Sequence, residues 1–223
     1  MLGFTRLLIG AWLIVLPCSL WADESANSIF VVATPETQDP NFREAVVLIT
    51  QHGRSGQVGV IINRPTAQTL SDFFPGNEAL KGSEEKLYAG GPVSPASLVF
   101  IFRGIEPQKD ALQVLPGVQM SNNPVLLEEI LKYPQATKKL KIYTGFAAWA
   151  PRQLEREISQ GGWYVLNADE KTIFDKNPAS IWPDLVKRAQ EQSVKFSPTQ
   201  PSPIKIYKYQ VLGTTTSSTS VTG

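Results

Sequence analysis

The chain has 223 residues, of which 42% are hydrophobic and 18% charged. That apolar fraction can fill a folded core, which excludes wholesale disorder. The 21 basic and 20 acidic residues give a formal charge of +1, so the net charge provides no electrostatic attraction to nucleic acid or to an anionic membrane.

The first 22 residues have the pattern of a secretory signal peptide. Arg6 supplies the basic start, and an uncharged apolar run follows over residues 7–16. A run of about ten residues suits a signal sequence and falls short of the ~20 that span a bilayer. We expect cleavage after Ala22 and a periplasmic or secreted protein with no membrane span. Two alternatives remain: an uncleaved leader that anchors the chain in the membrane, and lipidation at Cys18, which the preceding proline disfavours.

Cleavage after Ala22 leaves a mature chain without cysteine. It removes Arg6 and Cys18 but no acidic residue, so 20 basic and 20 acidic residues remain. The mature chain therefore cannot form disulfides, use a thiol nucleophile or bind zinc through thiolates. In an oxidising compartment such a protein depends on its packed core for stability.

The rest of the chain divides into a compact unit and a tail. Residues 27–192 carry the periodic apolar segments and form the predicted domain. Residues 193–223 are rich in Pro, Ser and Thr, a composition that buries little apolar area. Within this tail, residues 204–212 (IKIYKYQVL) have the composition of one edge strand, whose lysines would discourage pairing with other chains.

Apolar runs and period-two alternation predict eight strands in the domain. In chain order they cover residues 29–33, 45–50, 58–62, 86–89, 98–102, 112–115, 139–143 and 163–166. Four helices are predicted at residues 69–74, 123–133, 151–159 and 181–190. Because strands outnumber helices and do not alternate strictly with them, the sequence predicts an α+β fold.

The side chains available offer little catalytic chemistry. His52 is the only histidine, so any histidine base or ligand would have to be this residue. It lies beside a predicted hairpin turn, where a solvated loop side chain is the simpler interpretation. Glu155 and Glu157 are two apart on a predicted helix, point in different directions and are expected to stay solvated. We predict no metal and no cofactor.

Two short segments are ambiguous between structure and ligand binding. Arg64, preceded by Asn63, follows a strand and either holds an anionic ligand or pairs with a neighbouring loop. Gly90 and Gly91 begin a Gly-Gly-Pro turn without the lysine of a phosphate-binding loop, although its amides could face an anion. The tryptophans of the mature chain are predicted to fill the core, with an aromatic ligand cleft as the alternative: Trp149, Trp163 and Trp182.

Several short motifs follow one another through the domain. They lie at residues 39–42 (DPNF), 59–65 (GVIINRP), 90–93 (GGPV), 145–149 (GFAAW), 153–155 (QLE) and 157–158 (EI), with Trp163 after them. Together, over residues 28–190, they resemble the AlgH/YqgE family of bacterial proteins. The resemblance implies a single α+β domain in which a bent, mixed β-sheet forms a barrel-like core flanked by helices. It brings no established activity, substrate or cofactor, and some members carry the label of transcriptional regulator.

The chain departs from the family pattern in three places. Residues 150–152 (APR) stand where members usually have glycine and another small residue, and Phe146 replaces a tyrosine. The third departure is the leader, since typical members are cytoplasmic. Export argues against a role in transcription, and the sequence has neither a basic face nor a helix-turn-helix pattern.

The sequence thus favours an exported, non-catalytic protein that binds an unidentified protein or small molecule. One alternative is an enzyme with a site at Asn63, Arg64, Gly90 and Gly91, and a second is a transcriptional regulator by family label only. Nucleic acid is not an expected partner, and the oligomeric state is left open. The candidate ligand or partner residues are Asn63, Arg64, Gly90, Gly91, Trp149, Gln153 and Glu155.

Overall fold

The computed structural model describes residues 28–53, 56–104, 106–133 and 136–195. The predicted leader, Cys18, residues 196–223 of the tail and the strand at 204–212 lie outside the described residues, as does the side chain of His52. The strands are β1 (Ile29–Ala33), β2 (Val46–Gly53), β3 (Gly56–Ile61), β4 (Pro65–Thr69), β5 (Lys86–Ala89), β6 (Val93–Arg103), β7 (Leu112–Leu115), β8 (Val118–Ser121), β9 (Leu140–Trp149) and β10 (Trp163–Asn167). The helices are α1 (Leu70–Phe73), α2 (Pro124–Leu131), α3 (Gln153–Ser159), α4 (Glu170–Phe174) and α5 (Pro178–Lys195).

The strands form one curled, mixed sheet. Its main order is β10-β1-β2-β3-β9-β6-β8-β7, and β5 and β4 extend from β9 as a side branch. Only the β5–β9 pair is parallel among the described pairs; the others are antiparallel. This architecture confirms the predicted α+β class, the single domain and the bent mixed sheet with flanking helices.

Strand β9 joins the two halves of the curled sheet. Its first half, at residues 140–144, pairs with β6, as does Phe146 opposite Val93, whereas residues 147–149 pair with β3. Between them Gly145 has φ +66°, a left-handed conformation that glycine adopts readily and other residues do not. A side chain at Gly145 would also meet the Gly91 carbonyl oxygen at 2.5 Å. The bend therefore depends on glycine at this position.

Apolar side chains pack on both faces of the sheet. The inside of the curl is filled by residues of both halves and is closed by α4 and α5, with Phe30, Leu48 and Tyr143 completely buried. The outer face of the β10-β1-β2-β3 half is covered by α3. The outer face around β6 and the start of β9 is covered by α1 and α2. Each helix thus buries the apolar stripe that its sequence provides.

Several predicted boundaries are wrong in ways that local chemistry explains. Strand β6 begins at Val93 rather than at 98. The prediction missed its first residues because they are mostly polar and exposed and show no apolar alternation. Strands β4 and β8 and helix α4 were not predicted, since polar residues make up half or more of each of these short elements. Helix α5 begins at Pro178 rather than at 181 and continues to Lys195, so residues 193–195, predicted as the start of the tail, are helical.

Helix α3 begins at Gln153 rather than at 151. The preceding Arg152 has φ +63° and makes no capping hydrogen bond, so the chain enters the helix through a left-handed residue. Among the described residues, no helix combines the length and the apolar character needed to cross a membrane.

Candidate ligand-binding groove

The loop between β1 and β2 carries the DPNF motif. The Asp39 Oδ1 atom accepts a hydrogen bond from the Asn41 amide at 2.8 Å, and its carbonyl accepts from the amides of Phe42 and Arg43, both at 2.9 Å. An aspartate that bonds the backbone two residues ahead forms a tight turn. This turn places Phe42 against the outer face of the sheet.

Asn63 fastens the end of that loop. Its Oδ1 atom accepts a hydrogen bond from the Val46 amide at 2.9 Å, and its Nδ2 atom donates to the Glu44 carbonyl at 2.9 Å. Both functions of the amide are therefore used on backbone groups at the start of β2. Glu44 itself has φ +55°, which is unfavourable for a residue with a side chain and is stabilised here by the Asn63 contact.

Arg64 holds the same loop from its other side. Nη1 donates to the Asn41 carbonyl at 2.6 Å and Nη2 donates to the Arg43 carbonyl at 2.7 Å. Burial lowers the pKa of Arg64, while the nearby carboxylates of Asp39 and Glu44 oppose that shift. Of the two alternatives for Arg64, an anionic ligand or a neighbouring loop, its contacts match the second. Its partners there are backbone carbonyl oxygens.

Gly90 and Gly91 allow two backbones to cross at close range. The Gly90 amide donates to the Thr144 carbonyl and its carbonyl accepts from the Ile61 amide, each at 2.8 Å. A Cβ atom on Gly91 would lie 2.2 Å from the backbone carbon of Phe146, and φ at Gly91 is +155°. The glycine pair therefore aligns the end of β3, from which Asn63 and Arg64 follow.

Three aromatic rings pack together on the outer face. Phe42 stacks on Trp149 with ring centres 5.6 Å apart and meets Trp163 edge-on at 5.4 Å. The two indoles are themselves edge-on at 5.9 Å. Such pairs stabilise a fold by about 0.5–1.5 kcal/mol beyond their area burial. Trp149 and Trp163 are buried, as the sequence predicts, and Trp182 packs against the inner core.

The carboxylate of Glu157 lies among these rings. Its Oε2 atom accepts from the Nε1 atoms of Trp149 at 3.0 Å and Trp163 at 2.9 Å, and its Oε1 atom accepts from Gln153 Nε2 at 2.9 Å. The expectation that Glu157 stays solvated is wrong, because α3 turns this residue toward the two indoles. The signal was present in the sequence as a glutamate placed between two tryptophans that need hydrogen-bond acceptors.

Gln153 and Glu155 connect α3 to the sheet. Gln153 Oε1 accepts from the Ala150 amide at 3.0 Å and closes the turn before the helix. Glu155 Oε1 accepts from Gln57 Nε2 at 2.7 Å, which ties the exposed side of α3 to β3. Glu155 and Glu157 diverge as predicted, and each finds a different partner.

A groove of about 410 Å³ lies between the β1–β2 loop and α3. We call it the Phe42 groove; it is lined by Thr37, Gln38, Asp39, Phe42, Gln153, Glu157, Gln160, Gly162 and Trp163. Its volume falls within the range typical of small-molecule sites, about 300–1,000 Å³. Its lining combines carboxylates, amides and aromatic carbon.

The predicted site residues fall into two sets around this groove. Trp149, Gln153 and Glu155 belong to the α3 side, where Gln153 lines the groove and Trp149 supports it. The side chains of Asn63 and Arg64 reach the back of the β1–β2 loop, and the glycine pair packs on β9. Three groove residues, Asp39, Phe42 and Glu157, lie in the sequence motifs but were not among the predicted site residues.

A second depression of about 590 Å³ lies on another part of the surface and contains none of the predicted site residues. Its lining includes Tyr88 and Lys141, and Lys141 Nζ lies 3.2 Å from Glu85 Oε2. Within the described ranges, no group of three or more His, Cys, Asp or Glu side chains is arranged to hold a metal ion.

The fold and groove together define a single-domain α+β protein with a curled sheet and an aromatic–carboxylate surface on its outer face. Over residues 30–193 the chain matches the family model described as AlgH-like, and it belongs to that family. The resemblance drawn from the sequence motifs is thereby confirmed.

Relatives from other bacteria show the same membership. A UPF0301 protein of Streptomyces avermitilis is 32% identical over 185 residues, which cover 80% of this chain and 95% of the relative. One of Myxococcus xanthus is 34% identical over 155 residues, covering 68% of this chain and 84% of the relative. The family is one of uncharacterised function.

Two solved structures share the fold. The solution structure of the AlgH protein from Pseudomonas aeruginosa has a TM-score of 0.60 at 25% identity and covers 81% of this chain and 98% of that one. The crystal structure of protein DIP2367 from Corynebacterium diphtheriae has a TM-score of 0.62 at 24% identity, covering 83% and 92% of the two chains.

Proposed function

We propose that the protein is an exported, non-catalytic binding protein and that the Phe42 groove is its ligand or partner site. The observation that carries this proposal is the Glu157 carboxylate, which is held by three hydrogen bonds beside aromatic rings in a concave, partly open surface. Fixed polar groups beside apolar carbon are what orient a ligand in a preformed site.

The contacts of the other motif residues give no support to the enzyme alternative. The polar atoms of Asn63 and Arg64 that would serve a substrate are bonded to backbone groups of the β1–β2 loop. In the proposed function they hold the loop that carries Asp39 and Phe42. The glycine pair acts one step further back, by aligning β3.

Binding can be tested by NMR, with the indole N–H resonances as reporters. Trp149 and Trp163 donate to Glu157, whereas Trp182 donates to the Ala33 carbonyl at 2.8 Å on the inner side of the sheet. We expect a periplasmic extract, separated into small molecules and macromolecules, to shift the first two resonances in one fraction and leave Trp182 unchanged. Shifts of all three, or of none, would contradict the groove as the site.

Catalysis and export have their own measurements. Turnover of an ester, phosphate or glycoside substrate that is abolished by Arg64→Met would overturn the non-catalytic assignment. For export, mass spectrometry of the periplasmic protein is expected to give an N-terminus at Asp23. An intact Met1 on cytosolic protein would place the site in another compartment.

A further inference from the structure

The lining of the Phe42 groove is acidic and carries no lysine, arginine or histidine. Its two charged groups are the carboxylates of Asp39 and Glu157. Asp39 uses Oδ1 on the turn amide of Asn41, and Glu157 uses its oxygens on neutral donors. Among the described ion pairs none includes either residue. Arg64, whose charge acts on Asp39, donates two guanidinium N–H groups to loop carbonyls.

The three donors on Glu157 bring no counter-charge to its carboxylate. Indole and amide N–H groups are neutral, and the side chain that accepts from them is half-buried. A carboxylate has about four lone-pair positions, and three are occupied here, with one on Oε1 still open. A half-buried charge that lacks a counter-ion is attracted more strongly to a cation than an exposed one.

The aromatic rings of the groove leave little open ring face for stacking. Both indoles point their N–H edges at Glu157, and Phe42 packs against both of them. A neutral sugar needs an open ring face to stack on, yet Trp149 and Trp163 are only 4% and 7% exposed. Phe42, which is partly buried, presents the remaining aromatic carbon of the groove.

Resting on the proposed binding function, we propose that the Phe42 groove binds an alkyl guanidinium or ammonium group, with Asp39 and Glu157 as its counter-ions and Phe42 against its alkyl stem. The group can come from a free cationic metabolite or from a basic side chain of a peptide. Both present the same charge to the carboxylates.

Calorimetric titration of the purified protein tests the charge requirement. The probes are N-acetylarginine amide, its neutral isostere N-acetylcitrulline amide, and the peptide acetyl-Gly-Gly-Arg-Gly-Gly-amide. We expect the arginine compounds to bind about tenfold more tightly than citrulline and to weaken with added salt. Tighter binding of the peptide identifies a polypeptide source, and equal binding identifies a free cation.

Asp39→Asn is the principal variant, because asparagine keeps the acceptor for the Asn41 amide and removes only the charge. It is expected to weaken arginine binding about fivefold. Glu36→Gln removes the same charge from an exposed position of the same loop that does not line the groove, and is expected to change nothing. Phe42→Leu, which keeps bulk without a ring, is expected to weaken binding about threefold.

Three results would overturn the cationic class. They are equal binding of citrulline, preferential binding of a neutral sugar such as N-acetylglucosamine, and absence of any saturable response to the arginine compounds at about 10 mM. A neutral or anionic ligand that shifts the Trp149 and Trp163 resonances would leave the binding function in place while removing this proposal. If none of the ligands tested bound, both the cation proposal and the proposed binding function would be overturned.

Discussion

Gly91 lies where backbone meets backbone, and that contact leaves no room for a side chain. A Cβ atom would approach Phe146 to 2.2 Å, whereas Gly117, also at positive φ in the β7–β8 turn, has open space around it. Alanine substitutions at the two glycines therefore separate the cost of a steric clash from the cost of an unfavourable backbone angle.

Gly91→Ala is expected to destabilise the protein by about 3 kcal/mol or more, because the β5–β9 crossing must move apart. Gly117→Ala, the control, should cost only about 1–2 kcal/mol, the penalty for a left-handed residue with a side chain. Urea unfolding of both variants measures the difference. Equal losses would mean that the close approach to Phe146 carries no energetic weight.

Arg152 is the opposite case, a residue with a side chain in a conformation that suits glycine. Its φ of +63° falls at the entry of α3, where it makes no capping hydrogen bond. Arg152→Gly is expected to raise the free energy of unfolding by about 0.5–1 kcal/mol, since relief of strain exceeds the added chain entropy.

The control for that substitution is Arg156→Gly, which removes the same charge from an exposed position inside α3. Glycine there should cost about 1 kcal/mol because it weakens the helix. Thermal unfolding of the two variants is expected to move the midpoint in opposite directions. A lower midpoint for Arg152→Gly would show that the arginine side chain contributes a stabilising contact.

At the scale of elements, the β1–β2 loop is positioned by side chains from elsewhere in the chain. Asn63 and Arg64 together make three hydrogen bonds to its backbone and a fourth with Val46 at the start of β2. The loop has few buried apolar residues of its own, so these bonds fix the position of Asp39 and Phe42 at the groove.

Asn63→Asp tests this dependence with an almost isosteric change. The aspartate still accepts from the Val46 amide but faces the Glu44 carbonyl without a donor, which should cost about 1–2 kcal/mol and speed amide hydrogen exchange in the loop. Asn177→Asp is the matched control, because Asn177 only accepts, from the Ala179 amide. Unchanged exchange in the loop of Asn63→Asp would show that Arg64 alone suffices.

The sequence predicts apolar elements well and polar ones poorly. The strands at 29–33, 86–89 and 112–115 match the structure because each has a buried apolar run. The start of β6 is joined to β9 through Val93, which lies opposite Phe146, a pairing distant in sequence that no local pattern contains. Element existence was therefore more predictable than element length.

The groove shows the same limit in its side chains. The motifs identified Gln153 and Trp149, but the role of Glu157 depends on which way α3 faces, and that orientation is fixed by the packing of Leu154 in the outer core. Asn63 and Arg64 stand out as polar residues at a strand end. Nothing in the sequence says that their partners are carbonyls rather than a ligand.

For the whole molecule, Tyr143 is the main polar group placed in the inner core. It is 0% exposed, and its hydroxyl has no hydrogen-bond partner within the described part of the chain. Burial raises the pKa of Tyr143 well above its ordinary value of 10.0, with a smaller contribution from Tyr88. The native state therefore keeps this phenol neutral at alkaline pH.

Tyr143→Phe is expected to stabilise the protein by about 1 kcal/mol at neutral pH, since it removes an unpaired buried hydroxyl. The raised pKa also makes the wild type lose stability above about pH 10, where the unfolded chain releases the tyrosine proton and the folded chain does not. The variant should lose less over that range. Tyr133→Phe, at a site 70% exposed, is the control and should change neither quantity.

Strand β9 couples the stability of the two halves of the sheet. Residues 147–149 of this strand pair with β3, and residues 140–144 and Phe146 pair with β6. Loss of the β6–β9 pairing would therefore remove support from the strand on which the β3 half is built. Damage far from the aromatic cluster would then loosen the Phe42 groove.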